Sequence, residues 1–228
     1  MNPTDIPRQS RPDHSALDAW ESAYARFETP EEEVRKFRRR LRRLGADDWP
    51  LNSEIVELFC GRGNGLRALM ELGFTNVEGV DLSPALLALY QGSAKCYVCD
   101  CRELVFDDHS KDILIVQGGL HHLAELPRDL ERTFSEMRRV LREEGRVIVV
   151  EPWRTPFLSL VHAISRNALA RRFSKKLDAF ETMFVHEKRT YEQWLDSPDL
   201  ILRTCSTHFH PVHQSFSWGK WWFVGKPR

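Results

Sequence analysis

The sequence predicts an α/β fold built on a mainly parallel sheet, and three observations carry that expectation. Short apolar runs, several of them closing on an acid, recur at Ile55–Leu58, Val77–Asp81, Lys95–Asp100, Asp112–Gln117 and Arg146–Glu151. The first run opens into the glycine-spaced turn Gly61-Arg62-Gly63-Asn64-Gly65, and a helix pattern begins at Leu66. The second ends in Asp81, twenty residues past Gly61, where a carboxylate can accept hydrogen bonds from ribose hydroxyls. The spacing is G-x-G-x-G, with Leu66 standing where a dinucleotide fingerprint has its third glycine. No G-x-x-x-x-G-K-[S/T] loop occurs. The expected ligand is a nucleoside without a phosphate chain.

Taken in order, residues 1–14 are polar and proline-rich and read as a flexible leader. Ser15–Phe27 has the spacing of a helix, with Leu17, Trp20, Tyr24 and Phe27 on one face. Thr29 is placed to cap a second helix that begins at Pro30, carries Glu31, Glu32 and Glu33 in its first turn and ends at Gly45. These two helices, 15–45, are expected to form a lid, and 46–228 the main domain. Pro127–Leu141 is a helix pattern, and Glu144-Gly145 turns the chain into the strand Arg146–Glu151. After Glu151 a segment on the substrate side, 152–198, is expected to hold a helix over Leu158–Phe173 and a short one capped by Thr190. Leu200–Thr204 and Ser217–Val224 are expected as the last two strands, which brings the sheet to seven.

Composition excludes several classes. Hydrophobic residues make up 42% and charged residues 29%, and 33 basic side chains balance 33 acidic ones. Net charge therefore gives no argument for nucleic acid or an anionic membrane. No apolar stretch approaches a membrane span, and the N-terminus lacks the apolar core of a signal peptide, so a cytoplasmic location is the default. Five cysteines are present, an odd number that does not suggest a disulfide framework. Cys96-x-x-Cys99-x-Cys101 lies on a strand pattern that would send Cys96 and Cys99 to opposite faces, so no metal is expected there.

With those residues in view, Glu57-Leu58-Phe59-Cys60-Gly61-Arg62-Gly63-Asn64-Gly65 resembles motif I of the class I S-adenosylmethionine (SAM)-dependent methyltransferases, D/E-x-G-x-G-x-G, with Phe59 in place of the first glycine. Gln117-Gly118-Gly119-Leu120-His121-His122 resembles the motif IV region of small-molecule methyltransferases related to the quinone-methylating group. The resemblance covers residues 53–151 and, more weakly, the end of the chain. It implies a Rossmann-like sheet with helices on both faces, SAM as cofactor and a small organic methyl acceptor. It further implies a cofactor site of Glu57 (methionine portion), Phe59, Gly61, Gly63, Gly65, Asp81 (ribose), Leu82, Asp100 (adenine amino group), Cys101 beside the ring, and Gln117. Tyr24 on the first helix is expected to reach the methionine carboxylate.

If the acceptor is a hydroxyl, a general base assists, and histidine is the first choice. His121 and His122 follow the fourth strand at the sheet edge where ligands bind. His186 and Trp153 belong to the segment expected to roof the site. Two alternatives compete: an RNA or protein methyltransferase docking through the basic helix 35–43, and a SAM-binding scaffold that has lost catalysis. The sequence carries no N-P-P-Y motif after the fourth strand, which disfavours nucleic acid.

Overall fold

A computed structural model describes residues 27–167 and 172–228. Its strands are β1 (Glu54–Leu58), β2 (Asn76–Asp81), β3 (Lys95–Val98), β4 (Lys111–Gln117), β5 (Leu141–Pro152), β6 (Phe209–Ser217) and β7 (Lys220–Pro227). They form one sheet in the order β3-β2-β1-β4-β5-β7-β6. The first five pair in parallel, whereas β7 runs antiparallel to both β5 and β6. The chain works outward from β1 to β3, then crosses back to β4. The order therefore reverses between β1 and β4, the point at which an open α/β sheet leaves a crevice beyond its carboxyl edge.

The helices are α1 (Pro30–Arg43), α2 (Asn64–Glu71), α3 (Pro84–Leu87), α4 (Arg128–Val140), α5 (Pro156–Ser165), α6 (Lys175–Leu195) and α7 (Pro198–His208). One face of the sheet packs Val56, Leu58, Leu114, Val116, Val147 and Val149 against α4 and α7. The other packs Ile55, Ile113, Ile115, Ile148 and Val150 against α1 and α2. This is the alternation a strand produces when both faces are covered.

Four expectations change. The helix over 30–43 forms, with Thr29 and Glu32 closing a capping box, yet it is a layer of the core rather than a lid. Val34, Phe37 and Leu41 are buried with Leu66, Leu69 and Trp222. Leu41→Ala should therefore cost about 2–5 kcal/mol, seen as a lower midpoint in urea unfolding; a lid residue would cost almost nothing. The basic run on α1 is also engaged. Lys36 pairs with Glu28, Arg38 with Glu71 at 2.7 Å, and the Arg43 guanidinium lies 4.7 Å from the Trp222 ring.

Leu200–Thr204 is helical within α7, where Ile201, Thr204 and Cys205 are buried at helix spacing and Pro198 occupies the first turn. The penultimate strand starts later, at Phe209. Ser217 ends it, and Trp218 and Gly219, both at positive φ, turn the chain into β7. Thr190 caps nothing: α6 runs unbroken past it, and its hydroxyl donates to the Glu187 carbonyl. The helix expected over Leu158–Phe173 is shorter, α5 ending at Ser165. The leader, nearly all of the first expected helix and Tyr24 lie outside the described residues. No described helix is long and apolar enough to cross a membrane.

Candidate active site

The chain leaves β1 through a turn of left-handed residues: Phe59 at φ 57°, Gly61 at 52° and Gly63 at 76°. For Phe59 this conformation costs about 1–2 kcal/mol, and its ring packs where a Gly119 side chain would stand, 2.2 Å from that position. The turn after β1 and the loop after β4 are thereby locked together. Two amides hold Asp81: Gly61 N–H donates to Oδ2 at 2.7 Å and Ser83 N–H to Oδ1 at 2.8 Å. Leu82 beside it is 60% exposed, an apolar surface next to the carboxylate.

Glu57 lies beneath the turn, buried against the first turn of α2. A Cβ on Gly65 would come within 2.0 Å of its Oε1. Gln117 Nε2 donates to Oε1 at 3.2 Å, while Oε2 is buried with no hydrogen-bond partner. Burial pushes the Glu57 carboxyl up to about 8, with the charges of Glu33 and Asp81 adding to it and the Gln117 bond opposing. A half-satisfied buried carboxylate at a sheet switch point is the feature a cationic ligand group would complete.

A second buried acid, Glu33 of α1, was not anticipated. It accepts from Asn64 Nδ2 at 2.7 Å and lies 3.3 Å from the Arg62 guanidinium, both on the turn. Only the structure joins it to them, since thirty residues separate it from the turn and it reads as one of three acids opening a helix.

Asp100 falls in the turn beyond β3 and is gripped by Arg102, whose backbone N–H and guanidinium both donate to it and which also pairs with Asp129 at 3.1 Å. The Arg102 hydrogen bonds hold its carboxyl below the usual carboxylate range. Each of its oxygens already accepts two of these bonds, so a ligand amino group would have to share or displace one of the Arg102 donors. Cys101 departs from expectation. Its thiol turns into the core to Thr133 Oγ1 at 3.5 Å, and burial pushes it up to about 12.

The histidines form a separate centre on the β4 side. Glu151, the last acid of β5 and fully buried, accepts the N–H groups of Gly119 at 2.7 Å and Leu120 at 2.8 Å on Oε1. Its Oε2 lies 2.8 Å from His121 Nδ1. His121 Nε2 then faces Glu187 of α6 at 3.7 Å, and His122 Nδ1 faces the same carboxylate at 3.9 Å. Burial would lower His121, but Glu151 and Glu187 outweigh it and hold the imidazole at about 9. His122, its side chain 40% exposed, goes the other way: partial loss of solvent first, then the His121 charge, keep it below the usual imidazole range.

His186 is not brought to this centre. It lies on the exposed side of α6, one residue and about 100° of helix away from Glu187, which takes the inward place. Around the centre stand Tyr191, edge-on to His121 at 5.6 Å, and His162, packed among Phe180, Phe184 and Tyr191. Both ring nitrogens of His162 are buried without a partner. Trp153, expected in the roof, instead stacks on Phe216 and Trp221 of the last hairpin. Lys220, opposite Pro152, is a further group titrating near neutrality, brought by burial down to about 7. A hollow of about 460 Å³ exists at the opposite, amino-terminal edge of the sheet, lined by Trp49, Glu54 and Arg142 among others. It is remote from every residue just described, and strand order gives it no role in binding.

Comparison with known proteins bears on the fold and the family. Residues 56–149 match a family described as a methyltransferase domain. The ubiquinone/menaquinone biosynthesis C-methyltransferase UbiE of Citrifermentans bemidjiense is 28% identical over 133 residues, 53% of this chain and 54% of that protein. The match thus spans about half the length of that relative. A crystal structure of a Pyrococcus horikoshii protein superimposes with a TM-score of 0.68 at 18% identity, covering 92% of this chain and 98% of the other. The geranyl diphosphate C-methyltransferase of Streptomyces coelicolor, solved with Mg²⁺, geranyl diphosphate and S-adenosylhomocysteine, gives 0.57 at 15% identity, covering 100% and 91%.

Proposed function

We propose that this chain is a class I SAM-dependent methyltransferase that transfers the SAM methyl group to a small organic acceptor. The observation that carries this reading is the Glu57 carboxylate, buried under a left-handed glycine turn with one oxygen unpartnered. SAM has an ammonium for that oxygen and a ribose diol for Asp81, and no phosphates that the turn would have to cradle. When bound, SAM supplies an electrophilic methyl on a sulfonium.

The protein's part is to position the acceptor and exclude water. Gly61, Gly63 and Gly65 let the chain pass close beneath the cofactor, Leu82 offers an apolar edge, Asp100 an acceptor for an amino group, and Gln117 orients Glu57. On the acceptor side, Glu151 and Glu187 favour the protonated form of His121 against its burial, while burial and the His121 charge disfavour that of His122, so His122 and the Glu187 carboxylate are the groups there better placed to take a proton. His162, with two orphaned nitrogens among aromatic rings, suits an acceptor that is flat and apolar with a polar substituent.

Asp81→Ala tests the cofactor half. Calorimetry should find SAM binding weakened by at least about 100-fold, as expected when a half-buried charge that hydrogen-bonds the ligand is removed. Far-ultraviolet circular dichroism should be unchanged. Wild-type affinity in the variant would remove Asp81 from the site.

A further inference from the structure

We propose that His121, His122 and Glu187 form a binding site for a divalent transition-metal ion, open to solvent on the His122 side. One ligand atom from each lies within 4.8 Å of the other two. A single carboxylate faces both imidazoles, Oε1 toward His122 and Oε2 toward His121. Neither distance is a hydrogen bond; at 3.7 and 3.9 Å they are a little wider than the about 3.4 Å between ligand atoms on a tetrahedral ion with bonds of about 2.1 Å. Entry of an ion would close these two gaps by about half an ångström at most and the widest separation in the set, up to 4.8 Å, by up to about 1.4 Å, a movement that rotation of the side chains can supply.

The decisive feature is Glu151. It occupies His121 Nδ1 at 2.8 Å, so Nε2 is the nitrogen presented to the gap, and two backbone amides fix the carboxylate in turn. A buried carboxylate on the far nitrogen of a histidine is the outer shell that metal-binding imidazoles use to fix ring and tautomer. Two nitrogens and a carboxylate favour zinc, iron(II) or cobalt(II) over magnesium, and three protein ligands leave positions open, as in catalytic rather than structural sites. His122 is 40% exposed, which gives an ion a way in.

Resting on the methyltransferase reading for its second half only, the proposal assigns the open positions to a hydroxyl oxygen of the acceptor, with His122 and Glu187 then serving as ligands rather than as proton acceptors. There a cation would lower the hydroxyl's pKa and hold its oxygen for attack.

Full-length protein stripped with a chelator and dialysed is titrated with Co²⁺, without SAM. Visible d–d absorption should appear and saturate at one ion per chain, Zn²⁺ should abolish it and Mg²⁺ should not. His122→Ala and Glu187→Gln should each lose the bands, while Glu151→Gln should weaken Co²⁺ binding by about 10–100-fold. Calorimetry should find SAM binding unchanged in His122→Ala, so failure of the metal site and failure of the cofactor reading give different results. No absorption with wild-type protein, or the same absorption with His122→Ala, overturns the proposal. His122→Ala removes an exposed side chain, so it decides the matter even where Glu187→Gln does not fold.

Discussion

SAM affinity should rise about tenfold per pH unit between pH 6 and about 8, because the Glu57 carboxyl must lose its proton to meet an ammonium. Burial, chiefly, raises this group to about 8 in the free protein. Below that pH the ligand binds a protonated site and releases the proton, so the slope of log affinity against pH is one. Above about 8 the α-amino group of the ligand loses its own charge, and the affinity falls again. The free protein should show the opposite trend in stability. A carboxyl raised from 4.5 to about 8 binds more protons folded than unfolded, so its contribution is complete below pH 4.5 and disappears as pH rises through 8. The loss is about 2–5 kcal/mol, and SAM should restore it. Glu57→Gln keeps the shape and has no proton to lose. Its SAM affinity should be weaker and lack the rising limb below pH 8, and its thermal midpoint should lose this slope over the same range. An unchanged rising limb in Glu57→Gln, measured by calorimetry at four pH values, would place the titrating group elsewhere.

The elements of the proposed cofactor half were largely legible in the sequence because they are neighbours in it. Glu57, the glycine turn and Asp81 all sit at strand ends, and strand ends with their turns are written in short apolar runs and glycine spacing. Phe59 was legible only as a substitution. The structure supplies the reason a residue without a side chain is usual there, a left-handed backbone, and the contact with Gly119 that accompanies the exception.

The acceptor half was legible only in its first strand. His121 and His122 follow the β4 run, but their shared partner, Glu187, comes from a helix more than sixty residues on. The apolar string Phe180–His186 drew attention to its terminal histidine, while a helix sends successive residues about 100° apart, so only one of two neighbours can face inward. Glu151 obeyed the same rule as Glu57 and Asp81, an acid closing a parallel strand, and was recognisable on that ground. The strand expected at Leu200–Thr204 failed because β-branched and apolar residues bury at either period over five positions; Pro198 ahead of it was the better guide.

Glu151 should prove the residue on which the acceptor half depends, and two substitutions should separate its structural task from its chemical one. Fully buried, it accepts three hydrogen bonds from the loop that carries the histidines. Glu151→Ala strands two amides and a charged imidazole in the core, which costs about 3–5 kcal/mol, and the thermal midpoint should fall accordingly. Glu151→Gln is different. Its amide oxygen can still accept from Gly119 and Leu120, so most of the fold's stability should remain. The amide nitrogen now faces His121 Nδ1 and donates to it, which forces the ring into the neutral form protonated on Nε2. The imidazole then turns a proton toward Glu187 and His122 without the charge it carried before. Methyl transfer should fall by about 100-fold in kcat, within the usual contribution of a positioned acid or base, while SAM binding stays at the wild-type level. A Glu151→Gln enzyme that keeps wild-type kcat would mean that His121 is a wall of the pocket and nothing more. A Glu151→Gln protein as unstable as Glu151→Ala would mean that the charge, rather than the oxygen, holds the loop.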